Sequence, residues 1–327
     1  MPRVALTALP ENNLQARFEV ITPMFLGDAD QKATSIRPTA IKGALRFWWR
    51  AINAHLDLKE LAEQEAKLFG SAKQDVGRGC FSIHVTECDA IGSPDASWPI
   101  KDPNAPSSYL GYGLVGDNQN PHREAIKAGI KFTVVLQFSP DATQSDRQAI
   151  QVALEAFGIF GSLGSRARRG FGSVQLLTLN DQPFIQMTPS NIREWLGANL
   201  ASSLKDASSL GFTGFSKDSR FAMPHAINNK SFSDFKSCHA SLGLIYKNAR
   251  TPIKPTRLRA VFGLPLKSVN ESLRRASPVF IKVIKDTPKT YQGLFLFLPS
   301  QFHPEYTQAD FDYIKPMLNE IKAENCI

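Results

Sequence analysis

The sequence predicts an α+β protein built from two βαββαβ units with loop insertions, and three observations carry that prediction. Short stretches alternate apolar and polar residues, the period of a strand buried on one face. Longer stretches repeat apolar residues every three or four positions, the period of an amphipathic helix. The chain has 327 residues, which suits about two domains, and 43% of them are hydrophobic, enough for a sizeable core in each.

Leu14, Ala16, Phe18 and Val20 alternate with Gln15, Arg17 and Glu19, which gives a first strand over Leu14 to Ile21. Thr22-Pro23 ends it, and Gly27-Asp28-Ala29-Asp30 reads as a loop. Pro38 and Thr39 then supply helix-start signals. Ile41, Ala44, Leu45, Trp48, Trp49 and Ile52 form one stripe, and at that spacing both tryptophans are core residues before they are stacking surfaces. A second helical stretch runs to about Phe69, where Gly70 and Gly77 to Gly79 break the pattern. Phe81, Ile83 and Val85 mark the second strand. From about residue 89 to 129, prolines at 94, 99, 103, 106 and 121 indicate a surface insertion with little regular structure. Strand three spans Ile130 to Phe138. Ser145 can cap a helix whose stripe is Ile150, Ala153, Leu154 and Phe157, and a glycine-rich stretch leads into strand four, Ser173 to Leu179. The order βαββαβ is the ferredoxin-like motif, which also underlies RNA-recognition (RRM-like) domains. A first unit is therefore expected over residues 1–182.

The second half is harder to parse. Ile192 to Leu204 reads as helical and Gly211 to Pro224 as a Phe-rich loop. Pro278 to Ile284 and Gly293 to Leu298 read as a strand pair, and Thr307 to Lys322 as a helical stretch split or kinked at Pro316. These elements suit a second, divergent ferredoxin-like domain over residues 183–327, although its six elements cannot all be counted.

Composition narrows the function classes. Lys and Arg number 38 against 30 Asp and Glu, a net charge of +8, which favours a polyanionic partner and nucleic acid before membrane. No stretch approaches the ~18–20 apolar residues that cross a bilayer. Met1 to Asn13 lacks a basic region followed by an apolar one, so neither membrane nor export is expected and a cytoplasmic location follows. Cys80, Cys88, Cys238 and Cys326 are scattered without a C-x-x-C, which argues against a disulfide framework and against zinc. No metal and no cofactor is expected. Gly111-Tyr-Gly-Leu-Val-Gly116 matches G-x-G-x-x-G literally, but Asp117 to Pro121 cannot open the helix that a dinucleotide fingerprint needs, so the match is accidental.

Three basic regions are candidate RNA contacts. The first is Gly161 to Gly172: Gly164 and its fellow glycines allow close approach, Arg166, Arg168 and Arg169 offer forks for phosphate, and Phe171 offers a face for a base. Arg169-Gly-Phe-Gly-Ser-Val174 nearly matches the RNP1 pattern. It stands before strand four rather than on strand three, and Ser173 replaces an aromatic, so loops and grooves are expected to do the gripping. The second is Arg37 with the row Lys42, Arg46 and Arg50, in a window from Gln31 to Arg50 without any acid. The third is Lys247 to Arg275, containing Lys254, Arg257, Arg259, Arg274 and Arg275, with eight basic residues and one acid. The five acids and two bases of Glu305 to Ile327 read as a solvated face or a contact for a basic neighbour. His84, His225 and His239 have no companion at catalytic spacing, Asp28 and Asp30 more simply make a turn, and no convincing active site emerges.

Thr22-Pro-Met-Phe-Leu-Gly27, Arg37-Pro-Thr-Ala-Ile-Lys-Gly-Ala-Leu-Arg-Phe-Trp-Trp-Arg50, Gly161-Ser-Leu-Gly-Ser-Arg-Ala-Arg-Arg-Gly-Phe-Gly-Ser173 and, more thinly, Arg274-Arg-Ala-Ser-Pro-Val-Phe280 resemble the RAMP superfamily of CRISPR effector proteins. Within it they look most like the family of the first-numbered subunit of the type III-B (Cmr) complex. The resemblance implies two ferredoxin-like domains, and partners that are other RAMP subunits together with CRISPR guide RNA, single-stranded target RNA or both. It also implies a place near the guide 3′ end, without nuclease activity. The family's glycine-rich loop maps onto Gly161 to Gly172 and its basic helix onto Lys42, Arg46 and Arg50. Two other readings stay open: a metal-independent endoribonuclease of the repeat-processing RAMP type, using a His as general base, and a scaffold that meets only proteins.

Overall fold

The computed structural model describes residues 12–27, 30, 32–72, 77–87, 97–99, 102, 105–114, 121, 123–224, 231–264, 266, 272–301 and 311–326. The first half forms β1 (Asn13–Val20), α1 (Pro38–Ile52), α2 (Leu58–Phe69), β2 (Phe81–Glu87), α3 (Pro106–Leu110), β3 (Lys131–Phe138), α4 (Gln144–Phe160), β4 (Val174–Leu179) and β5 (Gln182–Pro183). Its antiparallel sheet has the order β2-β3-β1-β4-β5. Ala16 lies opposite Val134 and Phe18 opposite Phe132, so the apolar sets of β1 and β3 share a face. That face meets the stripes of α1 and α4 in one core: Phe18 lies 5.3 Å from Phe132 and 5.4 Å from Phe157, ring to ring. Each such fully buried side chain contributes about 1.5–3 kcal/mol.

Local chemistry sets the helix starts. The Asp57 carboxylate accepts from the Glu60 amide at 2.8 Å to begin α2. The α4 cap is Thr143 and not the expected Ser145. Its hydroxyl accepts from the Asp146 amide at 3.1 Å while the Asp146 carboxylate accepts from the Thr143 amide at 3.0 Å. Thr143 and Asp146 stand three apart, the spacing of a capping box. Lys67 of α2 reaches the same carboxylate at 2.8 Å and ties the two helices together.

After α5 (Pro189–Asn199), the second half forms β6 (Arg220–Ala222), α6 (Phe235–Arg250), β7 (Val279–Thr287), β8 (Thr290–Phe297), α7 (Lys315–Glu320) and β9 (Glu324–Asn325). The sheet order β7-β8-β6-β9 repeats the β2-β3-β1-β4 of the first, so the second unit also runs βαββαβ. Three expectations need correction. The segment Gly211 to Pro224 contains β6, which at three residues is too short to show alternation. Helix α6 went unpredicted because His239 and Gly243 sit inside its buried stripe of Cys238, Leu242 and Tyr246. Pro316 falls in the first turn of α7, where its missing N–H costs nothing, and so opens a helix rather than kinking one.

The insertion is likewise more than a surface loop. Trp98, Leu110, Leu114 and Ala125 are buried in a second core with Ile21, Phe25 and Phe171 and with Val261, Ile281 and Phe295 of the second half. Its prolines hide periodicity, but its apolar residues fill the space between the units. Gly116 and the residues up to 120 lie outside the described part of the chain.

The two units are joined side by side through β4 and β7. Gln175 and Lys285 exchange hydrogen bonds, the Lys285 amide donating to Gln175 Oε1 at 2.9 Å and Gln175 Nε2 donating to the Lys285 carbonyl at 3.0 Å. Lys285 Nζ also meets Glu19 at 2.5 Å. Fully buried Lys282 donates to the Gly158 carbonyl, in the last turn of α4, at 2.6 Å, and burial pushes its ammonium well below the ordinary lysine range. Helix α5 packs on α4, with Trp195 Nε1 donating to Glu155 at 2.8 Å.

Candidate nucleic-acid interface

The glycine-rich loop is held from both sides. Toward the first unit it pairs with residues 22–25. Thr22 Oγ1 donates to the Gly170 carbonyl at 2.7 Å and accepts from the Ser173 amide at 2.9 Å. The Gly172 and Ser165 amides donate to the carbonyls of Pro23 and Phe25, both at 2.9 Å. Gly164 (φ +87°) comes so close to this segment that a side chain there would start 2.6 Å from the Phe25 carbonyl oxygen. Only glycine fits.

Toward the second unit the loop spends two of its three arginines. Arg168 Nη1 donates to the Ser277 carbonyl at 2.6 Å, and its guanidinium lies 4.3 Å from the Phe280 ring centre and 5.3 Å from that of Phe47. Burial, with Arg275 and Arg169 nearby, pushes its pKa down to about 10, which leaves it charged at neutral pH. Arg169 Nη2 donates to the Phe262 carbonyl at 3.1 Å, and its guanidinium lies 4.2 Å above Tyr246. Main chain follows suit, the Ile281 amide donating to the Arg168 carbonyl at 3.1 Å. Phe171 is fully buried against Trp98 and His239. These three residues were expected to meet RNA. Their side chains instead fasten the units together, because the loop faces β7, a contact that the sequence around the loop does not announce. Arg166, with φ +59°, is exposed; its carbonyl accepts from the Arg169 amide at 2.8 Å, and its guanidinium makes no hydrogen bond or ion pair among the described residues.

On the solvent side, Gly164 and Ser165 line a pocket of about 360 Å³ with Phe25, Leu26, Gly27, Arg37, Arg123 and Glu124. Arg37, the N-cap residue of α1, donates to the Gly27 carbonyl at 2.7 Å, and Arg123 donates to Ser165 Oγ at 3.1 Å. A larger groove of about 750 Å³ runs along the other side of α1. Lys42, Gly43 and Arg46 form one wall, and Gly70 to Ala72 with Gly77, Arg78 and Gly79 form the other. The basic row on α1 is not free of acids as its window implied, because α2 brings Glu65 to 3.0 Å from Arg46 and 3.6 Å from Arg50. Lys42 keeps its ammonium 5.6 Å from the Phe81 ring, and burial beside Arg46 lowers its pKa.

The third basic region is divided. Lys254, Arg257 and Arg274 are exposed. Arg259 folds back onto the carbonyls of Ile253 and Thr251, and Arg275 onto Ser300 and Gln301. Two cations of the grooves escaped the sequence reading, Arg78 and Arg123. Arg78 stands between two glycines and so carries the same signature that singled out the loop; Arg123 was passed over with the insertion.

His239 is fully buried. Its Nε2 donates to the Arg169 carbonyl at 2.9 Å and its Nδ1 lies 3.0 Å from Ser107 Oγ, while burial pushes its pKa down to about 4. His84 is exposed on β2, and His225, Asp28 and Cys88 lie outside the described residues. Among the described residues no group of three or more His, Cys, Asp or Glu could hold a metal ion, and no helix is long and apolar enough to cross a membrane.

The RAMP superfamily model matches residues 17–175. The Cmr subunit Cmr1-1 of the Pyrococcus furiosus CRISPR system is 30% identical over 299 residues, covering 83% of this chain and 82% of that protein. Its Cmr1-2 counterpart is 28% identical over 177 residues, 50% of this chain and 94% of that one. The crystal structure of apo Cmr1 from Pyrococcus furiosus superimposes with a TM-score of 0.65 at 24% identity, over 96% of this chain and 98% of that one. A chain of a type III-B Cmr-beta complex bound to cognate target RNA gives 0.60 at 12% identity, over 95% and 98%. Two βαββαβ units fastened by a glycine-rich loop, and sequence similarity along both, make this chain a member of the Cmr1 family of CRISPR Cmr subunits, within the RAMP superfamily.

Proposed function

We propose that the chain is a non-catalytic, RNA-binding and assembly subunit of a type III-B CRISPR effector (Cmr) complex in the cytoplasm. It contacts guide or target RNA near the guide 3′ end, for antiviral defence. The observation that carries this reading is the pocket lined by Gly27 and Gly164, where Arg37 donates to the Gly27 carbonyl and Arg123 to the Ser165 hydroxyl, with the unpaired side chain of Arg166 next along the loop. Paired guanidinium groups above closely approachable backbone suit phosphate and carry no sequence preference. Readout is left to guide–target pairing. Arg37, Gly164, Arg166, Lys42, Arg46 and Arg50 form the principal track, with Arg78 and Arg123 added to it. Lys254, Arg257 and Arg274 are a separate exposed patch that serves RNA or the neighbouring RAMP subunits. We assign residues 1–182 and 183–327 as the two ferredoxin-like domains, the boundary falling within β5 at the edge of the first sheet.

The endoribonuclease alternative needs an accessible base. His239 is buried with both ring nitrogens engaged, and exposed His84 lies on β2, outside both grooves. Purified protein incubated with fluorescent single-stranded RNA in EDTA is expected to bind it in a salt-dependent way and leave it intact on a denaturing gel. Cleavage lost in His84→Ala or His225→Ala would overturn the non-catalytic reading, and absence of binding would overturn the RNA-binding one.

A further inference from the structure

The turn that follows α3 carries Tyr112, at 76% the most exposed large hydrophobic residue among those described. It does not dangle. Leu110 and Leu114 on either side are buried, and the Leu114 amide donates to the Gly111 carbonyl at 2.8 Å. This turn lies directly on the glycine-rich loop. A side chain at Gly111 would start 3.1 Å from the Phe171 ring, and one at Gly113 would start 3.0 Å from Arg166 Nη2. Gly113 has φ +82°, so glycine is what lets the turn close over the guanidinium. Neither the Tyr112 nor the Arg166 side chain has a hydrogen bond or ion pair among the described residues.

An exposed ring on a braced turn beside an unpaired arginine is costly to keep for packing alone, since neither group stabilises the fold. Arg166 also holds the left-handed conformation that non-glycine residues rarely adopt. Base stacking needs a fixed π-face open to solvent with a cation within reach of the adjoining phosphate. We propose that Tyr112 is a stacking platform for one unpaired base of single-stranded RNA, whose neighbouring phosphate is taken by Arg166. The inference rests on the RNA-binding reading above. It moves the stacking role from buried Phe171 to the tyrosine next to Gly111, the glycine that lies against the Phe171 ring, and gives a use to the glycine turn that matches no nucleotide fingerprint.

The test uses the full chain and a fluorescent single-stranded RNA of 20 uridines, titrated across a salt series. Tyr112→Ala is expected to weaken binding about 5- to 100-fold with the slope of log K against log salt unchanged. Tyr112→Phe and Tyr112→Trp should keep near wild-type affinity, and Arg166→Ala should flatten the slope by about 0.7. With a 4-thiouridine-substituted RNA, irradiation should crosslink the peptide that contains Tyr112. Wild-type affinity in Tyr112→Ala would overturn the platform while leaving the RNA-binding reading intact. No binding by any form would overturn both. Unchanged RNA affinity with lost assembly onto the other subunits would overturn it in favour of a protein contact. Circular dichroism and thermal melting of each variant separate these outcomes from misfolding.

Discussion

Three arginines within four residues of the glycine-rich loop have different fates, because what a guanidinium does depends on what the fold brings to it. Arg168 and Arg169 find backbone carbonyls and aromatic faces of the second unit, partners suited to a planar donor fork. Arg166 finds none among the described residues. Arg168→Ala should therefore destabilise the protein by about 1–3 kcal/mol, since it leaves the Ser277 carbonyl without its donor and opens space beside Phe280. Arg166→Ala should change stability by less than about 0.5 kcal/mol while weakening RNA binding. Urea unfolding beside RNA titration would show this double dissociation, and equal effects of the two variants on both would refute it. The importance of the loop was legible in the sequence. The division of labour within it was not, because the partners of Arg168 and Arg169 stand about a hundred positions further along the chain.

At the scale of elements, period two and period 3.6 located every long strand and helix of the first unit, since each has one face committed to the core. Legibility failed where an element is too short to show a period, as with β6 and β9, or where its buried stripe holds polar residues, as with His239 in α6. It failed again where an apparent stretch of like charge is neutralised from the next helix, as Glu65 does for Arg46 and Arg50. Helix α1 carries its own test. Gly43 lies in the middle of this 15-residue helix on the wall of the 750 Å³ groove, with nothing within 4 Å of where a side chain would begin. Gly43→Ala should stabilise the protein by about 0.5–1 kcal/mol through helix propensity alone. If RNA backbone passes along this wall, the same change should weaken RNA binding. Thermal melting and RNA titration of one variant read both, and a more stable protein with undiminished RNA affinity would take α1 off the RNA path.

At the scale of the whole molecule, the second core draws residues from β1's end, the insertion, the glycine-rich loop and the second unit, so both halves position the loop, while the two grooves are lined by the first half alone. The fold class was readable because the βαββαβ order is local; the junction was not, because it depends on contacts between distant segments, such as Lys282 on Gly158 and Gln175 on Lys285. RNA lying across the loop on Arg37, Arg123 and Arg166 is the core of the proposed function. The most direct test titrates single-stranded RNA with wild type and with Arg37→Ala, Arg123→Ala and Arg166→Ala combined, across a salt series. Loss of three phosphate contacts should reduce the slope of log K against log salt by about 2. A triple variant that is folded and keeps the wild-type slope would contradict the claim.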